Sequence, residues 1–164
     1  MSALFIGGIK SGKSFLAEKY ALKHATSKPI YLATTEFIDS EMQERINLHK
    51  QQRENNFITT EEPLELLKVV QESEDLVLIE CVSMWINNML YHQKSFQEIQ
   101  QEITLLLQEK KEIVFVLNDV GSGIIPDNRL AREFIDISGK ISQLIAREVD
   151  EVFHVIAGIG TKIK

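Results

Sequence analysis

The sequence predicts an α/β fold, a mostly parallel sheet with helices on both faces, and three observations carry that expectation. Short apolar runs such as residues 76–79 and 113–117 recur without polar alternation, helix-forming segments separate them, and the first run leads directly into a glycine-rich loop. Continuous apolar strands divided by helices belong to a sheet buried on both faces. Ligands of such sheets bind outside the carboxyl ends of the strands, so the polar groups that follow each strand are the candidate site.

The elements follow in order. Ala3, Leu4, Phe5 and Ile6 form the first strand, and residues 14–25 have helix-forming composition with Leu16, Tyr20 and Ala21 on one face. Residues 29–34 read as a strand, and Asp39 caps a polar helix that runs to about Arg53. A short extension at 57–60 leads to a helix opening at Pro63, and residues 76–80 form a buried strand ending in Glu80. Helical segments at 84–91 and 96–110 precede the apolar strand 113–117. Asn128 begins a long helix reaching about Glu148, and 152–156 is the last strand. Repeats and low-complexity tracts are absent from the sequence, and the connections are short except near residues 121–127.

Between the first strand and helix stands Gly7-Gly8-Ile9-Lys10-Ser11-Gly12-Lys13-Ser14, a complete G-x-x-x-x-G-K-[ST] phosphate-binding loop. Gly7, Gly8 and Gly12 free the backbone to turn its N–H groups inward around phosphate oxygens. Lys13 reaches the β- and γ-phosphates, the Ser14 hydroxyl is placed to ligate Mg²⁺, and the helix points its positive dipole end at the anion. The fold class narrows accordingly to the P-loop NTPase type, RecA-like.

Composition agrees with one enzyme domain over residues 1–164. The chain is 44% hydrophobic, enough for a real core, and no second domain is visible. Eighteen Lys and Arg against 24 Asp and Glu leave a net charge of −6, which argues against nucleic acid or an anionic membrane surface as partner. No apolar stretch approaches the length of a membrane span, and Met1 passes into the first strand without a signal-like segment, so a cytoplasmic location is expected. Cys81 is the only cysteine, which excludes an internal disulfide.

Glu80 ends its strand where P-loop proteins place the carboxylate that helps hold Mg²⁺, often through water. Arg45, His49 and Arg53 are spaced four apart and project from one helical face, with Lys50 beside it. Two guanidiniums flanking an imidazole would hold phosphate oxygens and disfavour the imidazolium, leaving a lone pair free to attack. A polar helix carries such a row equally as a solvated face, and spacing alone leaves both readings open. His24 suits a helix C-terminus, His92 the end of another helix, and His154 a packed or edge strand position. Asn118, Asp119 and the glycines at 121 and 123 follow a buried strand directly, and Arg129 and Arg132 open the next helix where they can meet anionic substrate; a plain loop and cap would look similar.

Over nearly its whole length the chain resembles the bifunctional adenosylcobinamide kinase and adenosylcobinamide-phosphate guanylyltransferase family of cobalamin biosynthesis. The resemblance lies in the loop at Gly7 to Ser14, in Tyr31-Leu32-Ala33-Thr34, in Arg45-Ile46-x-x-His49-Lys50-x-x-Arg53 and in Leu78-Ile79-Glu80-Cys81. It continues through Asn118-Asp119-Val120-Gly121, Gly123-Ile124-Ile125-Pro126, Asn128-Arg129-Leu130-Ala131-Arg132 and the closing Gly158-Ile159-Gly160-Thr161-Lys162-Ile163-Lys164. Asp119 stands where glutamate is usual, Ser122 replaces a bulkier residue, Thr35 and Glu36 differ from the commoner pair, and the connection at 93–95 is short.

The resemblance implies two reactions. A nucleoside triphosphate, ATP or GTP, phosphorylates the aminopropanol hydroxyl of adenosylcobinamide. GTP then transfers GMP to that phosphate through a guanylylated histidine, which by motif match is His49. Nucleotide contacts carry over to the loop residues, with Lys13 catalytic, to Thr34, Thr35 and Glu36, to Lys50, Gln51, Gln52 and Arg53, and to Glu61 and Glu80, with Mg²⁺ at Ser14 and Glu80. Arg45, Asp119, Arg129 and Arg132 are weaker candidates for substrate or phosphate contact. The resemblance also implies a homo-oligomer, a trimer, binding a small-molecule corrinoid. Two other readings fit a phosphate-binding loop: a small-molecule kinase without nucleotidyl transfer, and a GTP-dependent switch, whose usual Asn-Lys-x-Asp segment does not occur here.

Overall fold

The computed structural model describes residues 1–36 and 55–164; the expected helix from Asp39 to Arg53 lies outside them. Seven strands form one sheet: β1 (Ala3–Gly7), β2 (Ile30–Ala33), β3 (Ile58–Glu61), β4 (Val77–Glu80), β5 (Ile113–Asn118), β6 (Glu151–Ile156) and β7 (Ile159–Lys162). The described helices are α1 (Lys13–His24), α2 (Leu66–Glu72), α3 (Val82–Tyr91), α4 (Phe96–Gln108) and α5 (Arg129–Glu148). Strand order is β3-β2-β4-β5-β1-β6-β7, parallel throughout except for β7, which runs antiparallel to β6.

Two-residue alternation within uninterrupted apolar strands divides the core into two layers. Ala3, Phe5, Leu78, Val114, Val116 and Val155 pack with Ala17 and Ala21 of α1 on one face. Leu4, Val77, Ile79, Ile113, Phe115, Leu117 and Val152 face Trp85 and Ile86 of α3, Ile99 and Ile103 of α4, and Ile137, Ile141 and Ile145 of α5 on the other. Both faces are thus dry, which is why these strands carry no polar alternation. Trp85 is fully buried and its indole N–H donates to the Leu64 carbonyl at 2.9 Å, tying α3 to the turn before α2.

Most expected boundaries hold to within a residue or two, and the differences have local causes. The helix expected from Pro63 starts at Leu66, because Glu62 Oε1 accepts from the N–H groups of Leu64 and Glu65 and occupies the preceding residues in a capping turn. α3 starts at Val82, directly after β4, rather than at Met84. α4 opens with a full capping box, Ser95 and Glu98 each accepting from the other's backbone N–H. Asn128 caps α5 as expected, its side chain accepting from Leu130 and Ala131. β7 has no counterpart among the expected elements: it contains one large apolar residue, and its turn runs through Ala157 and Gly158, both at positive φ, without the Asn-Gly or Asp-Gly pair that marks a hairpin.

Candidate active site

All strands except β7 point the same way, so the segments after β1, β2, β3, β4 and β5 meet at one sheet edge. The register sets Gly7 beside Asn118, and Ala33 beside both Glu61 and Glu80. The loop of residues 8–12 crosses this edge and turns into α1.

Its glycines have different reasons for being there. A Cβ on Gly7 would lie 2.3 Å from the Val155 carbonyl oxygen, so only glycine fits between β1 and β6. Gly12 sits at φ 93° as the N-cap of α1, and a Cβ there would meet Gly158 Cα at 3.0 Å. A Cβ added at Gly8 would meet nothing within 4 Å, so the protein itself places no steric demand there. The Gly158 N–H donates to the Ser11 carbonyl at 2.7 Å, so the β6–β7 turn braces the loop from behind.

Lys13 is buried, and its ammonium donates to the Gly8 carbonyl at 3.2 Å, folded over the loop where phosphate oxygens would compete for it. The buried Ser11 hydroxyl has no hydrogen-bond partner among the described residues, an orphan that an anion in the loop would satisfy. The Ser14 hydroxyl donates to Glu80 Oε1 at 2.8 Å. A hydroxyl and a carboxylate side by side are the hard oxygen donors that Mg²⁺ takes. Among the described residues no group of three or more His, Cys, Asp or Glu side chains converges on one point, so an ion here would draw its other ligands from phosphate and water.

Thr34 is fully buried and latches β2 to β4. Its hydroxyl donates to the Cys81 carbonyl at 2.9 Å and accepts from the Cys81 N–H at 3.1 Å, while its own N–H donates to the Glu80 carbonyl at 2.9 Å. Asn88 adds a bond from its side-chain amide to the Thr34 carbonyl at 2.6 Å. Thr34 therefore acts on the backbone that carries Glu80. Thr35 is half-buried beside it, and Glu36 pairs with His92 Nε2 at 2.8 Å. His92 does end α3, as expected, but its pairing with Glu36 carries no sequence signal because the two are far apart in the chain. Glu61 is exposed at the end of β3. Burial, then the charge of Glu80, pushes the Cys81 thiol up, so it stays protonated.

Beyond β5 the carboxylate of Asp119 accepts from the Gly121 N–H at 3.2 Å and from the Ser122 hydroxyl, and so shapes its own loop. Arg132 is similarly engaged: its guanidinium donates to the Pro126 and Asp127 carbonyls at 2.8 and 2.6 Å. Arg129 is the exposed first residue of α5. Arg45, His49, Lys50, Gln51, Gln52 and Arg53 lie outside the described residues. His24 ends α1 with its ring 4.2 Å from that of Tyr20, and His154 stands half-buried in β6. Asn118 is the site residue to which the sequence assigns no role of its own, because its place is visible only through the strand order.

Comparison with known proteins agrees with this geometry. Residues 3–163 match the family model described as cobinamide kinase / cobinamide phosphate guanyltransferase. The bifunctional adenosylcobalamin biosynthesis protein CobU of Escherichia coli K12 is 37% identical, with all of both chains covered. Its Salmonella typhimurium LT2 counterpart is 36% identical, again over the full length of both, and CobP of Pseudomonas aeruginosa PAO1 is 33% identical over all of this chain and 98% of its own. Among solved structures, an ATPase from the type III secretion system of pathogenic bacteria aligns with 98% of this chain and 56% of its own at TM-score 0.56 and 13% identity. That likeness concerns the fold alone, which is that of P-loop NTPases. By the match over its length and these full-length relatives, the chain belongs to the cobinamide kinase / cobinamide phosphate guanyltransferase family.

Proposed function

We propose that this chain carries out both reactions of its family, using the loop of residues 7–14 for the nucleotide and His49 as the guanylyl carrier. The observation that supports it most is the Ser14–Glu80 pair beside a complete phosphate-binding loop in a chain of this family. In the first reaction the aminopropanol oxygen of adenosylcobinamide bonds to the γ-phosphorus as the bridging β,γ P–O bond breaks. The nucleoside diphosphate leaves with the electron pair and the hydroxyl proton passes to solvent.

In the second reaction a ring nitrogen of His49 bonds to the α-phosphorus of GTP and pyrophosphate leaves. The other ring nitrogen sheds its proton. A phosphate oxygen of adenosylcobinamide phosphate then bonds to that α-phosphorus, the P–N bond breaks with its electron pair left on the ring nitrogen, and the ring takes a proton back from solvent, which restores His49. Loop amides and Lys13 hold the phosphates in line and meet the charge that develops on the leaving group. Mg²⁺, when held by Ser14 and Glu80, supplies charge neutralisation at the phosphates. Thr34 serves by fixing Glu80, whereas Thr35, Glu36, Glu61 and residues 50–53 remain candidates for direct nucleotide contact. Arg45 and Arg129 serve as phosphate contacts in this scheme, with Arg132 and Asp119 shaping the substrate loop.

A corrinoid is too large for 164 residues to enclose, which supports a substrate site completed by a second copy in a homo-oligomer, a trimer in this reading. Among the described residues no helix is long and apolar enough to cross a membrane, which supports a cytoplasmic enzyme. Incubation with α-labelled GTP tests the histidine carrier. Acid-labile, base-stable label that is lost in His49→Ala is expected; absence of label would reduce the chain to a kinase.

A further inference from the structure

Strands β1 and β4, which bear the phosphate loop and Glu80, are not neighbours: β5 lies between them. Whatever side chain ends β5 on the α1 face therefore lies under the nucleotide cradle. Strand alternation identifies it. Val114 and Val116 of β5 and Leu78 of β4 face α1, so by two-residue steps Asn118 and Glu80 project to that same face. The Ser14–Glu80 hydrogen bond, which joins β4 to the first turn of α1, agrees with this for Glu80.

Asn118 is also held in place while its carboxamide is left for something else. Its N–H donates to the Ser83 hydroxyl at 2.9 Å, and its register partner is Gly7, the first residue of the loop. Among the described residues the one partner of the carboxamide is Cys81 Sγ at 3.7 Å, a weak acceptor. An amide donor at the mouth of a phosphate site with only sulfur to meet is a group awaiting a better acceptor. The neighbouring Asp119 carboxylate is already committed to Gly121 and Ser122.

We propose that Asn118 is a further catalytic residue of the kinase reaction, its Nδ2 donating to a γ-phosphoryl oxygen of the bound nucleoside triphosphate. This rests on the kinase half of the proposed function. As the γ-phosphoryl group passes from the β,γ-bridging oxygen to the substrate alcohol, charge spreads over its equatorial oxygens, and a fixed donor there stabilises the transition state. Guanylyl transfer breaks the α,β bond instead, so this donor matters less to it.

The test is steady-state kinetics of Asn118→Ala and Asn118→Asp beside a side-chain ¹⁵N spectrum of the wild-type protein. The kinase kcat should fall on the order of 10²-fold in Asn118→Ala, the value for losing one such donor. Nucleotide KM should stay within about threefold, the pattern of an interaction made in the transition state. Label transfer from α-labelled GTP should fall far less, and Asn118→Asp, which sets a carboxylate against phosphate, should be worse than Asn118→Ala. In the wild type, the Asn118 carboxamide signal should shift on binding a non-hydrolysable nucleoside triphosphate and stay in place with the diphosphate. Unchanged kcat, an equal loss of both activities together with melting temperature, or a signal indifferent to the γ-phosphate would each overturn the proposal. The spectrum needs neither a folded variant nor corrinoid, so a wild-type protein that fails to phosphorylate adenosylcobinamide sinks the kinase reading while the contact is still measured.

Discussion

The Ser14 hydroxyl donates to Glu80 Oε1 across 2.8 Å, joining the first turn of α1 to the end of β4 although 66 residues separate them. That pair and the loop stand together at the carboxyl edge of the sheet. Ser14→Ala and Glu80→Gln should each lower kcat/KM for both reactions by on the order of 10²-fold and raise the Mg²⁺ concentration needed for half-maximal rate. A Mg²⁺ titration of initial rates reads this, and an unchanged Mg²⁺ midpoint in both variants would remove the pair from the metal site.

Gly12 and Gly158 touch across the loop and the β6–β7 turn. Gly12→Ala meets both a left-handed backbone, φ 93°, and the 3.0 Å contact with Gly158 Cα, so it should lower the melting temperature and weaken GTP binding by roughly tenfold or more. Gly8→Ala, whose Cβ has nothing within 4 Å, should leave the melting temperature unchanged. Calorimetry of the two variants decides it, and equal melting temperatures would contradict the bracing of the loop.

Thr34→Val keeps the shape of the side chain and removes both its bonds to Cys81. Leaving the Cys81 N–H and carbonyl unsatisfied beside a fully buried position should cost about 1–3 kcal/mol in urea unfolding. A loss in nucleotide affinity without any loss in stability would instead make Thr34 a direct contact.

Glu98 lies in the α4 capping box, where the Ser95 N–H, then Lys94, hold its carboxyl down to about 2 from an ordinary 4.5. A folded value below the unfolded one adds stability that is complete above the unfolded value and is lost as pH falls through the folded one. The contribution should therefore disappear between about pH 4.5 and pH 2. Acid unfolding of Glu98→Gln followed by circular dichroism should show a shallower pH dependence in that window, and an identical profile would mean that the cap is already open in water.

The apolar strands and the loop are legible in the sequence because each rests on local chemistry, an uninterrupted apolar run or a fixed glycine spacing, as is the cap at Asn128, whereas β7, with one large apolar residue, carries no such signal. Glu80 is legible for the same reason, as the charge that ends such a run. Asn118 also ends an apolar strand, yet its importance comes from β5 lying between β1 and β4, and strand order is not written in any one segment. The pairing of Glu36 with His92 and the bracing of Ser11 by Gly158 are hidden likewise, since each joins residues more than fifty positions apart. Asp119 and Arg132 have the right charge and position for substrate, and the bonds that also tie them into their own loop, a carboxylate to two donors and a guanidinium to two carbonyls, carry no sequence signal.

The most direct measurement supplies adenosylcobinamide with GTP and Mg²⁺ and follows products by mass spectrometry in wild type, Lys13→Ala and His49→Ala. The wild type should form first adenosylcobinamide phosphate and then adenosylcobinamide-GDP, Lys13→Ala neither in useful amount, and His49→Ala the phosphate alone. Formation of neither product by the wild type would contradict the account.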